Sequence, residues 1–155
     1  MADNQPLNEN SPAVQAHLTM MQGVIGRMAE NSRSCKVWCV TLVAAVLVLV
    51  ARTGEPQHAL IALVPMLLFL FLDSYYLALE RAFIRSQNAF VAKLHRNELE
   101  PDDVYRVVPT GMGVQLVGRC LGSVSIWLFY PLVIVTVVLA WQLILTAGSP
   151  AEALP

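Results

Sequence analysis

Apolar positions follow two different patterns along this chain. From Val14 to Met28 they recur singly, at Val14, Leu18, Met21, Ile25 and Met28, in alternating steps of four and three. That spacing is the seam of an α-helix packed along one face, as in a coiled coil or a docked helix. Ser11-Pro12 predicts its start, serine as the cap and proline in the first turn. Elsewhere periodicity gives way to three uncharged apolar runs, Val37–Ala51, Pro56–Leu72 and Cys120–Ala151. Hydrophobicity sustained over such lengths makes lipid the solvent for most of the protein. The expected fold is an all-α membrane protein with three transmembrane helices.

The polar punctuation sets how these runs connect. Only Arg52-Thr-Gly-Glu-Pro-Gln-His58 separates the first two, so they form a tight helical hairpin. The fifteen residues Val37–Ala51 reach about 22 Å at roughly 1.5 Å per residue, against about 30 Å of hydrocarbon. The bilayer must thin there, or polar residues at the inner ends are drawn towards it. Those ends carry charge. Lys36 stands nineteen residues before Glu55, at the middle of the turn, and Asp73 eighteen after it. An antiparallel hairpin sets them at one depth, and an acid at an apolar boundary needs a partner. Lys36–Asp73 is the predicted pair. The same count brings Arg33 within a turn of Glu80 and Glu30 alongside Arg81, giving a charge-zipped stalk below the membrane.

The second helix is expected to run from its span through Leu94 without a break, with Tyr75 and Tyr76 as an interfacial aromatic belt. Pro65 should kink it in mid-span. Asn97–Asp103 reads as an acidic turn and Glu100-Pro101-Asp102-Asp103 as the start of a short helix through Val107. Pro109, Gly111 and Gly113 then interrupt the chain. The third span is predicted to begin near Val114 as an interfacial segment and to enter the bilayer after Arg119, with a kink at Pro131 and Trp127 and Trp141 as anchors. Gly118, Gly122 and Ser125 form a small-residue face suited to close helix packing, within the chain or between copies. Residues 1–10 are expected to be a disordered tail and 148–155 an external one. Between them, 11–147 is one three-span domain whose stalk comprises 12–35 and 77–119.

Charge then fixes an orientation. Nine of the ten basic residues fall before the first run or between the second and third, and Arg52 alone lies on the other side. The positive-inside rule puts the N-terminus and the 80–119 segment in the cytoplasm and the C-terminus outside. The first run lies too far into the chain for a cleaved signal and is read as a retained span. With a net charge of −1, a nucleic-acid partner is not expected. Cys35, Cys39 and Cys120 read as buried thiols, with palmitoylation of Cys35 or Cys120 as the alternative. His17, His58 and His95 fall on separate segments, so no metal site, cofactor site or hydrolase triad is expected. Asp102 and Asp103 read as helix caps. Catalysis is not expected.

Two segments carry a resemblance. Asn31-Ser32-x-x-Cys35-Lys36-x-Trp38-x-Val40-Thr41-Leu42 and Leu72-Asp73-Ser-Tyr-Tyr76-Leu77-x-x-Glu80-Arg81 resemble a family of small bacterial membrane proteins with N-S-x-x-x-K-x-W-x-V-T-L and L-D-x-Y-Y-L-x-x-E-R motifs. The likeness spans roughly residues 20–95. Some members resemble the membrane components of two-gene antiphage systems that sit beside TIR-type signalling enzymes. The resemblance implies a membrane effector or channel-like assembly in the bacterial inner membrane. The reading that follows is a homo-oligomer in the lipid bilayer, gated by a cytosolic signalling protein or small signal molecule through its stalk. Lys36, Asp73, Arg33, Glu80, Glu30 and Arg81 would be its charge ladder. The alternative is a passive anchor that recruits a cytosolic enzyme.

Overall fold

The computed structural model describes residues 7–148. Its helices are α1 (Pro12–Thr53), α2 (Leu63–His95), α3 (Val114–Leu121) and α4 (Val124–Gly148), with 3-10 turns at Pro56–Ala62 and Pro101–Tyr105. Among the described residues there is no strand. Three stretches are long and apolar enough to cross a bilayer: α1, the helical run Gln57–His95, and Val124–Ile144 of α4. The first two form an antiparallel hairpin. At 42 residues, α1 is about 63 Å long at roughly 1.5 Å per residue, twice the ~30 Å of hydrocarbon. The hairpin therefore continues beyond any membrane as a two-helix stalk.

Residue size along the facing stripes explains why the two long helices pack. The seam of α1 extends past Met28 through buried Ser32, Cys35, Cys39 and Val43. On α2 the buried positions Met66, Ser74, Ala78, Ala82 and Phe90 fall at multiples of four residues. Ser74, Ala78 and Ala82 are fully buried, and such short side chains let two helix backbones approach closely. Above this small-residue waist, Cys39, Val43, Met66, Ile126, Tyr130, Val133 and Val137 form the core that holds α4 to the hairpin. Below it, Val14, Phe90 and Val104 form a second core at the foot of the stalk.

Several sequence expectations give way here. Leu7 packs on the lower core, and Asn8 and Ser11 hydrogen-bond to each other, so residues 7–10 are an ordered turn. Ser11 does stand before Pro12 at the start of α1, but its hydroxyl faces Asn8 instead of capping the helix. Residues 1–6 and the tail from 149 lie outside the described residues. Pro65 falls in the first turn of α2, because the chain from Pro56 to Ala62 is a 3-10 turn. Its missing N–H is one that a helix start leaves unpaired in any case. The helix predicted after Glu100 is a single 3-10 turn ending at Tyr105. The third span is not one helix from Val114. It breaks at Gly122-Ser123, where the Ser123 carbonyl accepts the N–H groups of Ile126 and Trp127 to start α4. Gly118 and Gly122 therefore lie on one side of a break and Ser125 on the other. No neighbouring helix comes within 4 Å of a Cβ built on either glycine. Within the chain they pack against no other helix.

The hairpin turn depends on one backbone angle. Gly54 takes φ +70°, and its N–H bonds the Val50 carbonyl at 3.1 Å to close α1. Nothing stands within 4 Å of a Cβ added there, so any penalty for a side chain is conformational and not steric. Gly54→Ala is expected to destabilise the protein by about 1–2 kcal/mol, the cost of a left-handed L-residue. Unfolding in detergent by added dodecyl sulfate measures it, and an unchanged midpoint would contradict the assigned turn.

Candidate functional site

Asp73 is the only fully buried carboxylate among the described residues, and all three spanning helices reach it. From α1, Lys36 brings its Nζ to 2.6 Å from Oδ2. Ser32, one turn earlier on the same face, donates its hydroxyl to Oδ1 at 2.5 Å. From α4, Tyr130 donates its hydroxyl to Oδ2 at 3.3 Å. Lys36 Nζ also lies 3.4 Å from Ser32 Oγ, which ties the two α1 residues together. Each carboxylate oxygen thus has a donor, and the charge has a counter-charge. A buried ion pair offsets its own desolvation only when its remaining lone pairs are satisfied in this way. The Lys36 side chain keeps 19% exposure while Asp73 has none, so the cluster is open only from the lysine side.

The rest of the proposed ladder does not assemble. Glu30 pairs with Arg33 on its own helix at 3.2 Å, both side chains well exposed. Arg81 turns the other way and donates to Ser123 Oγ at 3.2 Å, at the break between α3 and α4. Glu80 has no basic partner within 4 Å among the described residues. Exposed charges gain little from being matched across helices, and a contact one turn away on the same helix costs less to hold. The stalk carries one buried rung, Lys36–Asp73.

Other contacts hold the foot of the stalk, and spacing alone did not single them out. Buried His17 on α1 donates Nδ1–H to the Val104 carbonyl at 3.0 Å, with its ring 4.2 Å from that of Phe90. Lys93 on α2 grips Asp103 at 2.9 and 3.0 Å. Ser86 bonds the Val108 carbonyl at 2.6 Å and meets Thr110 at 2.7 Å. These contacts fold residues 97–110 back against the hairpin and leave a cavity of about 290 Å³ lined by His17, Phe90, Lys93 and Asp103. The one visible signal was Asp103 itself, whose carboxylate accepts the Glu100 N–H at 3.1 Å as a cap. The Lys93 hydrogen bond and that cap hold the Asp103 carboxyl below its ordinary value of 3.8.

Cys35, Cys39 and Cys120 are free and buried, so the palmitoylation suggested for Cys35 and Cys120 has no accessible sulfur to act on. Among the described residues no three metal-binding side chains cluster. What the arrangement can do is mechanical: one carboxylate couples the positions of three helices. No protein-family model, curated protein or solved structure matches this chain.

Removing one member of the buried pair should cost far more than removing both. Asp73→Ala strands the Lys36 ammonium and is expected to destabilise by about 3–5 kcal/mol. Combining Lys36→Met with Asp73→Leu should recover most of that loss, while Tyr130→Phe should cost about 1 kcal/mol. Unfolding midpoints in micelles give all three values, and additive single losses in the double variant would exclude coupling. At the foot, the depressed Asp103 pKa gives stability that is present above 3.8 and lost as pH falls through the lower folded value. Amide-exchange protection at residues 102–105, relative to the intrinsic rate, should therefore fall in acid below that point, and Asp103→Asn should remove the dependence.

Proposed function

We propose that this protein is a homo-oligomeric, channel-like membrane effector, gated by displacement of its stalk helices. The observation that carries the reading is Asp73, a fully buried acid shared by all three helices in an otherwise apolar bundle. Moving α1 against α2 separates Lys36 from Asp73 and leaves a carboxylate unpaired at the apolar boundary, at a cost of several kcal/mol. Water admitted beside Asp73 offsets that cost, so a paired dry state and a separated wet state compete. A stalk ligand selects between them through its differential affinity.

Oligomerisation is supported by how little three helices can enclose. Only 22% of the residues in each apolar window are buried within the chain, leaving large faces for lipid or further copies. The excess of basic residues at the stalk end supports an orientation with the foot in the cytoplasm and the hairpin turn outside. The resemblance of the Ser32–Lys36 and Asp73–Arg81 segments extends the proposal to a bacterial inner membrane and to antiphage defence.

A second reading, an anchor that recruits a cytosolic partner, is favoured by the foot. Tyr105 and Val108 stand there 83% and 53% exposed, beside the clasped loop. The two readings separate in one experiment. Vesicles containing the protein should leak a trapped dye, Asp73→Ala should alter the rate, and the purified protein should sediment as a multimer. A strict monomer in tight vesicles that copurifies a soluble protein, lost on Tyr105→Ala, would establish the anchor instead.

A further inference from the structure

The segment between the foot and α4 is held at both ends by one turn of α2. Thr110 N–H bonds the Ala82 carbonyl at 3.4 Å before α3, and Arg81 reaches Ser123 Oγ at 3.2 Å after it. A helix of eight residues is about 12 Å long. Leaving and returning to the same turn, α3 crosses the hairpin instead of lengthening it. It lies at the level where the apolar α4 begins, the level of a membrane–water interface for any orientation of the chain. Cys120 is buried, while Val114 and Leu121 stand 90% and 41% exposed, followed by Val124 at 81%. An oblique helix at this depth with uncovered apolar side chains fits the boundary between headgroups and acyl chains.

Three arginines share that level, Arg81 and Arg85 on α2 and Arg119 on α3. Among the described residues none has a carboxylate within 4 Å. Arg85 and Arg119 both line a cleft of about 540 Å³, together with residues 111–116. Gly111, at φ +67°, lies against the Arg85 guanidinium, whose atoms come within 3.6 Å of where a Cβ would stand. The cleft carries two cations and includes the exposed apolar Val114 in its lining. A free anion would satisfy only the first property, whereas a phospholipid satisfies both.

The geometry points to a binding site for an anionic phospholipid, its phosphate between Arg85 and Arg119 and its acyl chains along Val114, Leu121 and Val124. Guanidinium suits this role because its fork matches two phosphate oxygens at once. Occupancy would pin α3 and, through Arg81 and Ser123, the start of α4. The site is independent of whether the protein conducts.

The test uses the full chain in a neutral detergent, with thermal unfolding as the readout. Added phosphatidylglycerol should raise the midpoint, and phosphatidylcholine and inorganic phosphate should not. Arg85→Gln with Arg119→Gln should weaken the phosphatidylglycerol response on the order of tenfold or more, while Arg106→Gln leaves it intact. Arg85→Lys with Arg119→Lys should restore part of it, which also shows that the fold survives change at both positions. An equal response to inorganic phosphate would overturn the lipid assignment in favour of a free anion. An undiminished phosphatidylglycerol response in the double glutamine variant would overturn the site.

Discussion

A carboxylate sealed among apolar helices must be neutralised, and the rest of this structure is arranged around that requirement. Asp73 has no access to water, and its partners come from α1 and α4. Each partner fixes a helix. Lys36 and Ser32 set the register of α1 against α2, because sliding either helix by one residue turns its side chains about 100° away. Tyr130 sets the depth of α4, whose other contacts with the hairpin are mainly apolar. Hydrophobic packing makes the bundle cohere, but it is not directional. The polar cluster selects one arrangement among many of similar apolar burial.

The two cores on either side of this cluster differ in kind. The upper one is apolar and includes the buried Tyr130, and much of the surface around it is open to lipid. The lower one is small and is closed by hydrogen bonds from His17, Lys93 and Ser86 to the returning loop. In water, three such clasps can hold a short loop that buries only Val104. Between the cores, Ser74, Ala78 and Ala82 bring the helices close without adding an aliphatic core. This narrow waist lies directly beside the Asp73 cluster, since Ser74 follows Asp73 in α2.

The break at Gly122-Ser123 gives the third helix a different role from the first two. A continuous helix from Val114 would have carried Arg119 and Val114 straight down beside the stalk. With the break, α3 turns across the hairpin, and Arg81 is drawn to Ser123. That is also why the proposed contact between Glu30 and Arg81 is missing: the arginine has a partner on the opposite side of α2.

The sequence by itself determined the helical class, the three apolar spans and the hairpin, because continuous hydrophobicity and a Gly-Pro turn leave the backbone no other way to satisfy its hydrogen bonds in lipid. It also determined the common depth of Lys36 and Asp73, since helical rise converts residue count into distance. It could not decide which exposed charges pair, because long solvated side chains choose among neighbours of nearly equal energy. Nor could it show that Pro65 opens a helix, that Gly118 and Gly122 flank a break, or that Tyr130 and Ser32 complete the cluster. Those outcomes depend on which faces meet in three dimensions, and only the packed tertiary structure brings residues 32, 73 and 130 to a single carboxylate.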